Sequence, residues 1–319
     1  MTSDPKAGFE AALRRIDERL EALLPPTLAS HAPLGDALRE SVLAPGKRLR
    51  PLMTLLAAED LGGSAAAALD AGCAVEMVHA ASLVLDDLPC MDDATLRRGQ
   101  PALHVRHGED VAVLVAIGSL AGAYQLIAGI DGLSAEARVE AVAILSAAVG
   151  VRGLVGGQFE DLRGGRHRRA VAEIAAANGL KTGSLFSAAV EIGGVVAGAS
   201  GGVRAELRGF AEELGHAFQL VDDLLDRAPS SSALGKDVGQ DRNKSTIVSM
   251  MGPAAARRRI ERHVSRAEAS LTRVFGPSSR MHGLLALVFE HAMRQGQGEG
   301  RPHRVDGFAA EAPQEIGAR

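Results

Sequence analysis

Aromatic side chains are scarce in this sequence. There is no tryptophan, one tyrosine and eight phenylalanines among 319 residues, yet 46% of the chain is hydrophobic. The core must therefore be built from Ala, Val, Leu and Ile, which suits close-packed helices better than a β-sandwich. Cysteine is scarce too. Cys73 and Cys90 are too few for a disulfide framework and lack metal-ligand spacing. They fit a reducing cytosol, and a cytoplasmic location is expected. Excess charge is small: a net −4 gives no reason to expect a nucleic-acid partner. The first twenty residues carry Asp4, Glu10, Asp17 and Glu18 and no continuous apolar run, unlike a signal peptide.

One long uncharged run stands out. Residues 111–130, "VAVLVAIGSLAGAYQLIAGI", are long enough to span a bilayer. The run stands alone and holds three Gly, a Ser, a Gln and a Tyr. It reads as a buried central helix or a subunit-interface helix, so no transmembrane segment is expected. Helical spacing of apolar residues recurs at 9–24, 34–43, 50–60, 66–88, 109–129, 134–150, 170–178, 180–198, 203–226, 245–250, 254–274 and 280–293. No stretch alternates convincingly with period two, and no repeat has a fixed spacing. The expectation is one all-α domain over residues 1–294. The polar, Gly- and Pro-rich residues 295–319 are expected to be a disordered tail.

Charge is concentrated where the pattern enters the core. Residues 82–99 read "SLVLDDLPCMDDATLRRG", with Asp86, Asp87, Asp92 and Asp93 following an apolar run. Six residues turn a straight helix by about 600°, so Asp86 and Asp92 would lie on different faces. Pro89 cannot continue a regular helix, and a bend there would bring the two back together. Far away, "FQLVDDLLD" (218–226) places Asp222 and Asp226 one turn apart beside Asp223. Like charges at that spacing repel, and burying them unpaired costs several kcal/mol. Oxygen-only carboxylate clusters suit hard ions such as Mg²⁺, which binds one or two carboxylates plus water and phosphate. Cations accompany the clusters: Lys47, Arg48, Arg50, Arg97, Arg98, Lys181, Lys236 and Lys244. Paired arginines are shaped for bidentate phosphate contact. Together these features indicate a diphosphate substrate with an apolar body.

Each feature alone has a plainer reading. An aspartate-rich string is usually a solvated helix face, "PGKRLRP" a basic surface loop, and His79 a core or capping histidine. "GGRHRR" (164–169) reads as a solvated loop, Cys90 as a packed small residue, and Glu191 as a satisfied core charge. The signal is the joint occurrence, in order, of two clusters and their flanking cations.

Six motifs carry a resemblance: "GKRLRP" (46–51), "DDLPCMDDATLRRG" (86–99), "GGQFEDL" (156–162), "KTGSLF" (181–186), "FQLVDDLLD" (218–226) and "GKDVGQDRNKST" (235–246). Over about residues 30–295 the chain resembles the trans-isoprenyl diphosphate synthases, most closely the bacterial geranylgeranyl diphosphate synthases. The resemblance implies an all-α bundle of long helices around a central cavity, usually a homodimer. It implies three Mg²⁺ ions, two at Asp86 and Asp92 with Asp87 in the same cluster, and a third at Asp222 supported by Asp223 and Asp226. Arg97, Lys181, Thr182, Gln219, Lys236 and Lys244 would bind the allylic diphosphate (dimethylallyl, geranyl or farnesyl). Gly46, Lys47, Arg50, His79 and Arg98 would hold isopentenyl diphosphate. Asn243 stands where the family often has Gly, and Asn tolerates positive φ.

Chain length would be set below Asp86. Ala81 and Ser82 lie about 6–7.5 Å down the helix axis, with Val78 beneath. Bacterial farnesyl synthases carry an aromatic at the position of Ala81. A C20 product is therefore expected over C15 or longer. A class I terpene cyclase would need an aromatic-lined pocket, and a non-catalytic regulatory subunit would have lost an aspartate motif.

Overall fold

A computed structural model describes residues 5–24, 29–164, 170–225 and 247–295. Four helices lead to the first aspartate cluster: α1 (Pro5–Leu23), α2 (Ala32–Leu43), α3 (Leu49–Asp60) and α4 (Ala65–Asp86). After it come a two-stranded hairpin, β1 (Leu96–Arg97) and β2 (Gln100–Pro101), and a short α5 (Leu103–His107). Then follow α6 (Glu109–Ala128), α7 (Ala135–Val149), α8 (Leu154–Gly164) and α9 (Val171–Asn178). A five-residue π turn, Gly179–Gly183, runs straight into α10 (Ser184–Val196). The chain closes with α11 (Gly201–Leu225), α12 (Ile247–Met251), α13 (Pro253–Phe275) and α14 (Arg280–Gln295). The expected all-α class is what the chain adopts. Three elements were not expected from the sequence: α8, the short α5 and the hairpin.

Local chemistry sets the boundaries. Ser64 and Ser134 cap α4 and α7, each hydroxyl accepting from the backbone N–H three residues on. Pro253 opens α13, where its missing N–H costs nothing, and Gly276 closes it at φ 78°. α4 is apolar on nearly every side and is buried on nearly every side, from Ala67 to Val84. It packs between α3 and α6, while α10 packs on α3, α7 and α11.

The long apolar run does not stand alone as expected: by length and composition α4, α6 and the α7–α8 stretch could each cross a membrane. α6 does not sit at the centre of the core. It buries Ala112, Val115, Ala116, Ala123 and Ile127, and exposes Leu114 and Ile117. Glu191 is a satisfied charge: its Oε1 accepts from Arg208 Nη1 at 2.5 Å.

One charge pair is buried inside the bundle. Arg48 lies in the left-handed region (φ 47°) just before α3, turned inward. Its Nη1 donates to Glu76 Oε1 at 2.8 Å and its Nε to Asp17 Oδ1 at 2.9 Å. The side chains of Arg48 and Glu76 are only 4% and 3% exposed. Breaking such a pair from one side leaves a buried charge, a loss of about 3–5 kcal/mol. Glu76→Ala should therefore lower the melting temperature by roughly 6–10 °C. Glu21→Ala, which removes the exposed Arg39–Glu21 pair, should cost less than about 1 kcal/mol. Thermal melts of both variants against the parent check the contrast.

Candidate active site

The first aspartate cluster closes on itself. α4 ends at Asp86, and after Pro89 the chain folds back so that Asp92 N–H donates to the Asp86 carbonyl at 2.9 Å. The bend expected at Pro89 thus sets Asp92 beside Asp86. Burial pushes the Asp86 carboxyl up to about 6, opposed by Lys181 and reinforced by Asp92. Asp87 faces another way. It is buried, and both its oxygens accept from Arg97, at 2.9 and 3.0 Å from Nε.

Lys181 is the cation that the clusters require. Its Nζ donates to Asp161 Oδ2 at 3.0 Å and lies 3.9 Å from Asp92 Oδ2. Burial pulls Lys181 down, but Asp86, Asp161 and Asp92 outweigh it and leave the ammonium raised. The next residue reaches the second cluster. Thr182 Oγ1 donates to Gln219 Oε1 at 3.4 Å, and Gln219 Nε2 donates to Asp223 Oδ1 at 3.0 Å. Lys181 and Thr182 both sit in the π turn, so this bulge joins the two aspartate clusters. α8 holds it in place. A Cβ on Gly157 would overlap the backbone of Lys181, so only glycine lets α8 approach.

The two adjacent arginines are separated by the hairpin. Arg97 pairs with Gln100, which leaves Arg98 and Gly99 as a two-residue loop with φ 54° and 77°. Two positive φ values in a row are what a type I′ turn requires. The backbone here is a hairpin, and its tight turn is what parts the two side chains. Arg97 goes to Asp87. Arg98 goes to the GKRLRP loop, where Nη1 donates to the carbonyls of Ala44 and Pro45. A Cβ on Gly46 would stand 2.7 Å from that Nη1. Gly46 is thus the bare backbone that Arg98 covers.

Around Arg98 the cations sort into neutralised and unneutralised groups. Arg48 belongs to Glu76 and Asp17, and Arg97 to Asp87. Arg50 is different. Its Nη1 donates to His79 Nε2 at 3.4 Å, and its buried Nε has no acceptor among the described residues. Burial pulls Arg50 down to about 10. Burial and the surrounding Arg50, Arg98, Arg48 and Arg97 hold His79 well below its usual range, so it is neutral. Burial lowers Arg98 as well. A buried nest of cations with an orphaned donor has the charge and the free N–H that a bound anion would satisfy.

An acid cluster bridged by lysine lies beside a nest of cations. This arrangement fits an enzyme that holds two polyphosphate groups. Among the described residues no three acidic or imidazole side chains converge closely enough to hold a metal by themselves. Mg²⁺ nevertheless fits, because the donors are carboxylate oxygens and this ion habitually takes its remaining ligands from phosphate and water. Asp226, Lys236, Asn243 and Lys244 lie outside the described residues, as do 165–169 of the basic loop and 296–319 of the tail. A small apolar pocket is lined by Met53, Phe186, Phe210, Leu214, Phe218 and Leu284, with no carboxylate in its lining. Asp161, in the "GGQFEDL" motif, gains its place here only through Lys181, a partner that sequence spacing does not report.

The comparisons agree with this class. The polyprenyl synthetase family model matches residues 31–274. The geranylgeranyl diphosphate synthase of Pantoea ananas is 47% identical over 265 residues, covering 82% of this chain and 86% of that protein. The enzyme of the same name from Pseudescherichia vulneris is 45% identical over 299 residues, covering 91% and 96%. The geranyltransferase of Helicobacter pylori, solved with magnesium and isoprenyl diphosphate, superposes with a TM-score of 0.78 at 27% identity, covering 92% of this chain and 98% of that one. The chain belongs to the polyprenyl synthetase family. It is a prenyltransferase with the all-α isoprenoid synthase fold.

Proposed function

We propose that this enzyme condenses isopentenyl diphosphate with allylic diphosphates and that its main product is geranylgeranyl diphosphate (C20). The observation that carries the reading is the sorting of cations into two groups. Lys181 and Arg97 stand at the aspartates, while Arg98 covers Gly46 and acts on Arg50 and neutral His79, which touch each other, and Lys47 follows Gly46 in the chain. The first group, with Thr182 and Gln219, binds the allylic diphosphate, and Lys236 and Lys244 complete that site. The second group binds isopentenyl diphosphate. Asp86 and Asp92 would hold two Mg²⁺ ions and Asp222 a third, with Asp223 and Asp226 in support; Asp87 orients Arg97. Magnesium, when bound, supplies positive charge against the leaving diphosphate.

The residues do the rest. Lys181 and Arg97 stabilise the negative charge that develops as the allylic C–O bond breaks. Arg50, Arg98 and Lys47 hold the isopentenyl double bond close to the allylic carbon, so that orientation supplies much of the rate. The new C–C bond forms, and the proton on C2 of the isopentenyl unit passes to the released diphosphate. The apolar bundle keeps water from the cation.

The two bacterial relatives carry the geranylgeranyl name, and Ala81 supports the same length. Ala81 is buried in one cluster with Ala112, Val115 and Ala116 of α6 and with Leu88 and Leu103. Ser82 turns its hydroxyl back to the His79 carbonyl at 2.8 Å. One turn lower, the Met77 methyl covers Gly122 of α6, and buried Val78 lies beside it. We place the floor of the tail tunnel there. Ala81→Tyr should keep the first condensations, end at C15, and cost about 1–3 kcal/mol from overpacking. Product chromatography and a melt read both effects; an unchanged C20 product from a folded, active variant would place the floor elsewhere. Exposed Val113, Leu114 and Ile117 on α6, with Val139 on α7 and Phe159 on α8, form the face we assign to a homodimer in the cytoplasm.

A further inference from the structure

The chain has nine aromatic residues, and two of them lie beneath cations of the Gly46 site. The Arg50 guanidinium stands over the Phe186 ring, 4.3 Å from its centroid. Lys47 Nζ stands over the Phe218 ring at 5.7 Å. The two rings meet edge to face, with centroids 5.6 Å apart and planes at 65°. That arrangement is the favoured one for an aromatic pair, so each ring fixes the other. Phe186 is fully buried on α10 and Phe218 half-buried on α11, five residues after the π turn's Lys181 and one residue before Gln219.

A buried guanidinium needs partners on its face and its edge. Among the described residues Arg50 has on its edge only the long contact to His79 Nε2, and its Nε has no acceptor. A ring face carries negative charge and attracts a cation more strongly as water is excluded. It does so without taking any N–H donor, whereas a carboxylate partner, such as Glu76 is for Arg48, takes donors and cancels charge. The donors of Arg50 therefore remain available for an anion.

We propose that Phe186 and Phe218 form one aromatic platform that positions Arg50 and Lys47 for the diphosphate of isopentenyl diphosphate. They act through the cations, as positioning residues. The inference rests on the assignment of the Gly46 site to that substrate. It also explains why a chain so poor in aromatics keeps two at this place: a leucine would fill the space but would leave Arg50 with no attraction on its face.

The test keeps the ring and removes its charge. Monofluoro-, difluoro- and trifluorophenylalanine at position 186 weaken the negative face stepwise at nearly constant volume. The KM for isopentenyl diphosphate should rise with each fluorine, reaching roughly five- to tenfold at three. The KM for the allylic substrate, kcat and the melting temperature should stay within about twofold or a few degrees of the parent. The same series at half-buried position 218 should give the same trend with a smaller slope, and it serves if the position 186 variants fold poorly. Arg50→Met separates the two ideas, with an expected rise of at least tenfold in the isopentenyl KM. If Arg50→Met leaves that KM unchanged, the site assignment and the platform both fall. If Arg50→Met raises it but the fluorine series is flat at both positions, the platform alone is overturned.

Discussion

Asp86→Asn should lower turnover by about three orders of magnitude or more, yet give a metal-free protein that is more stable than the parent at pH 7. The activity loss follows from its place in the carboxylate cluster. The stability gain follows from burial. Burial pushes the folded Asp86 carboxyl up to about 6, against 3.8 for the ordinary group. Between those values the folded chain holds a proton that the unfolded chain has lost. Folding is then progressively disfavoured as pH rises from about 4 to 6, and the full cost is present above 6. Asn cannot ionise and escapes that cost, which solvent screening brings to about 1–2 kcal/mol. Melts without Mg²⁺ should show the largest gap at pH 7, a narrower one at pH 5 and none near pH 4. A variant that is less stable than the parent at every pH would mean that Lys181 already neutralises the cluster.

The arginine pair gives the second large effect. Arg98→Ala should raise the KM for isopentenyl diphosphate by about 10–100-fold and leave the allylic KM within threefold; Arg97→Ala should do the reverse. The separation is set by the Arg98–Gly99 turn, which aims one side chain at Pro45 and the other at Asp87. Initial rates with each substrate varied in turn measure it. Equal effects of both substitutions on both substrates would show one shared anion site.

These expectations show what the sequence made legible. The long helices were readable because their apolar residues recur at helical spacing over three turns or more, as in α1 and α13. α8 was not, because "GLVGGQFEDLRG" has four glycines and few apolar positions. Its helix is held by the close approach of Gly157 to Lys181, a contact that no local pattern reports. The hairpin was missed because two-residue strands are too short to alternate. At the site, the residue types announced the chemistry, and Pro89 announced the bend. The pairing of charges was not readable. Nothing local says that Arg48 turns back to Glu76, 28 residues away, while Arg50 makes no close ion pair among the described residues and feels Glu76 and Asp222 only through space. Nor does spacing reveal that Asp161 steadies Lys181, or that Phe186 underlies Arg50. These depend on how α3, α4, α8 and α10 meet.

The most direct measurement is product size. The enzyme is incubated with Mg²⁺, isopentenyl diphosphate and, in separate reactions, dimethylallyl, geranyl or farnesyl diphosphate, and the dephosphorylated products are separated by chain length. C20 should be the end product from all three starters, with farnesyl diphosphate accepted as a substrate. Accumulation at C15 with farnesyl diphosphate refused would contradict the reading of Ala81, and failure to incorporate isopentenyl diphosphate from any starter would contradict the assignment of the site itself.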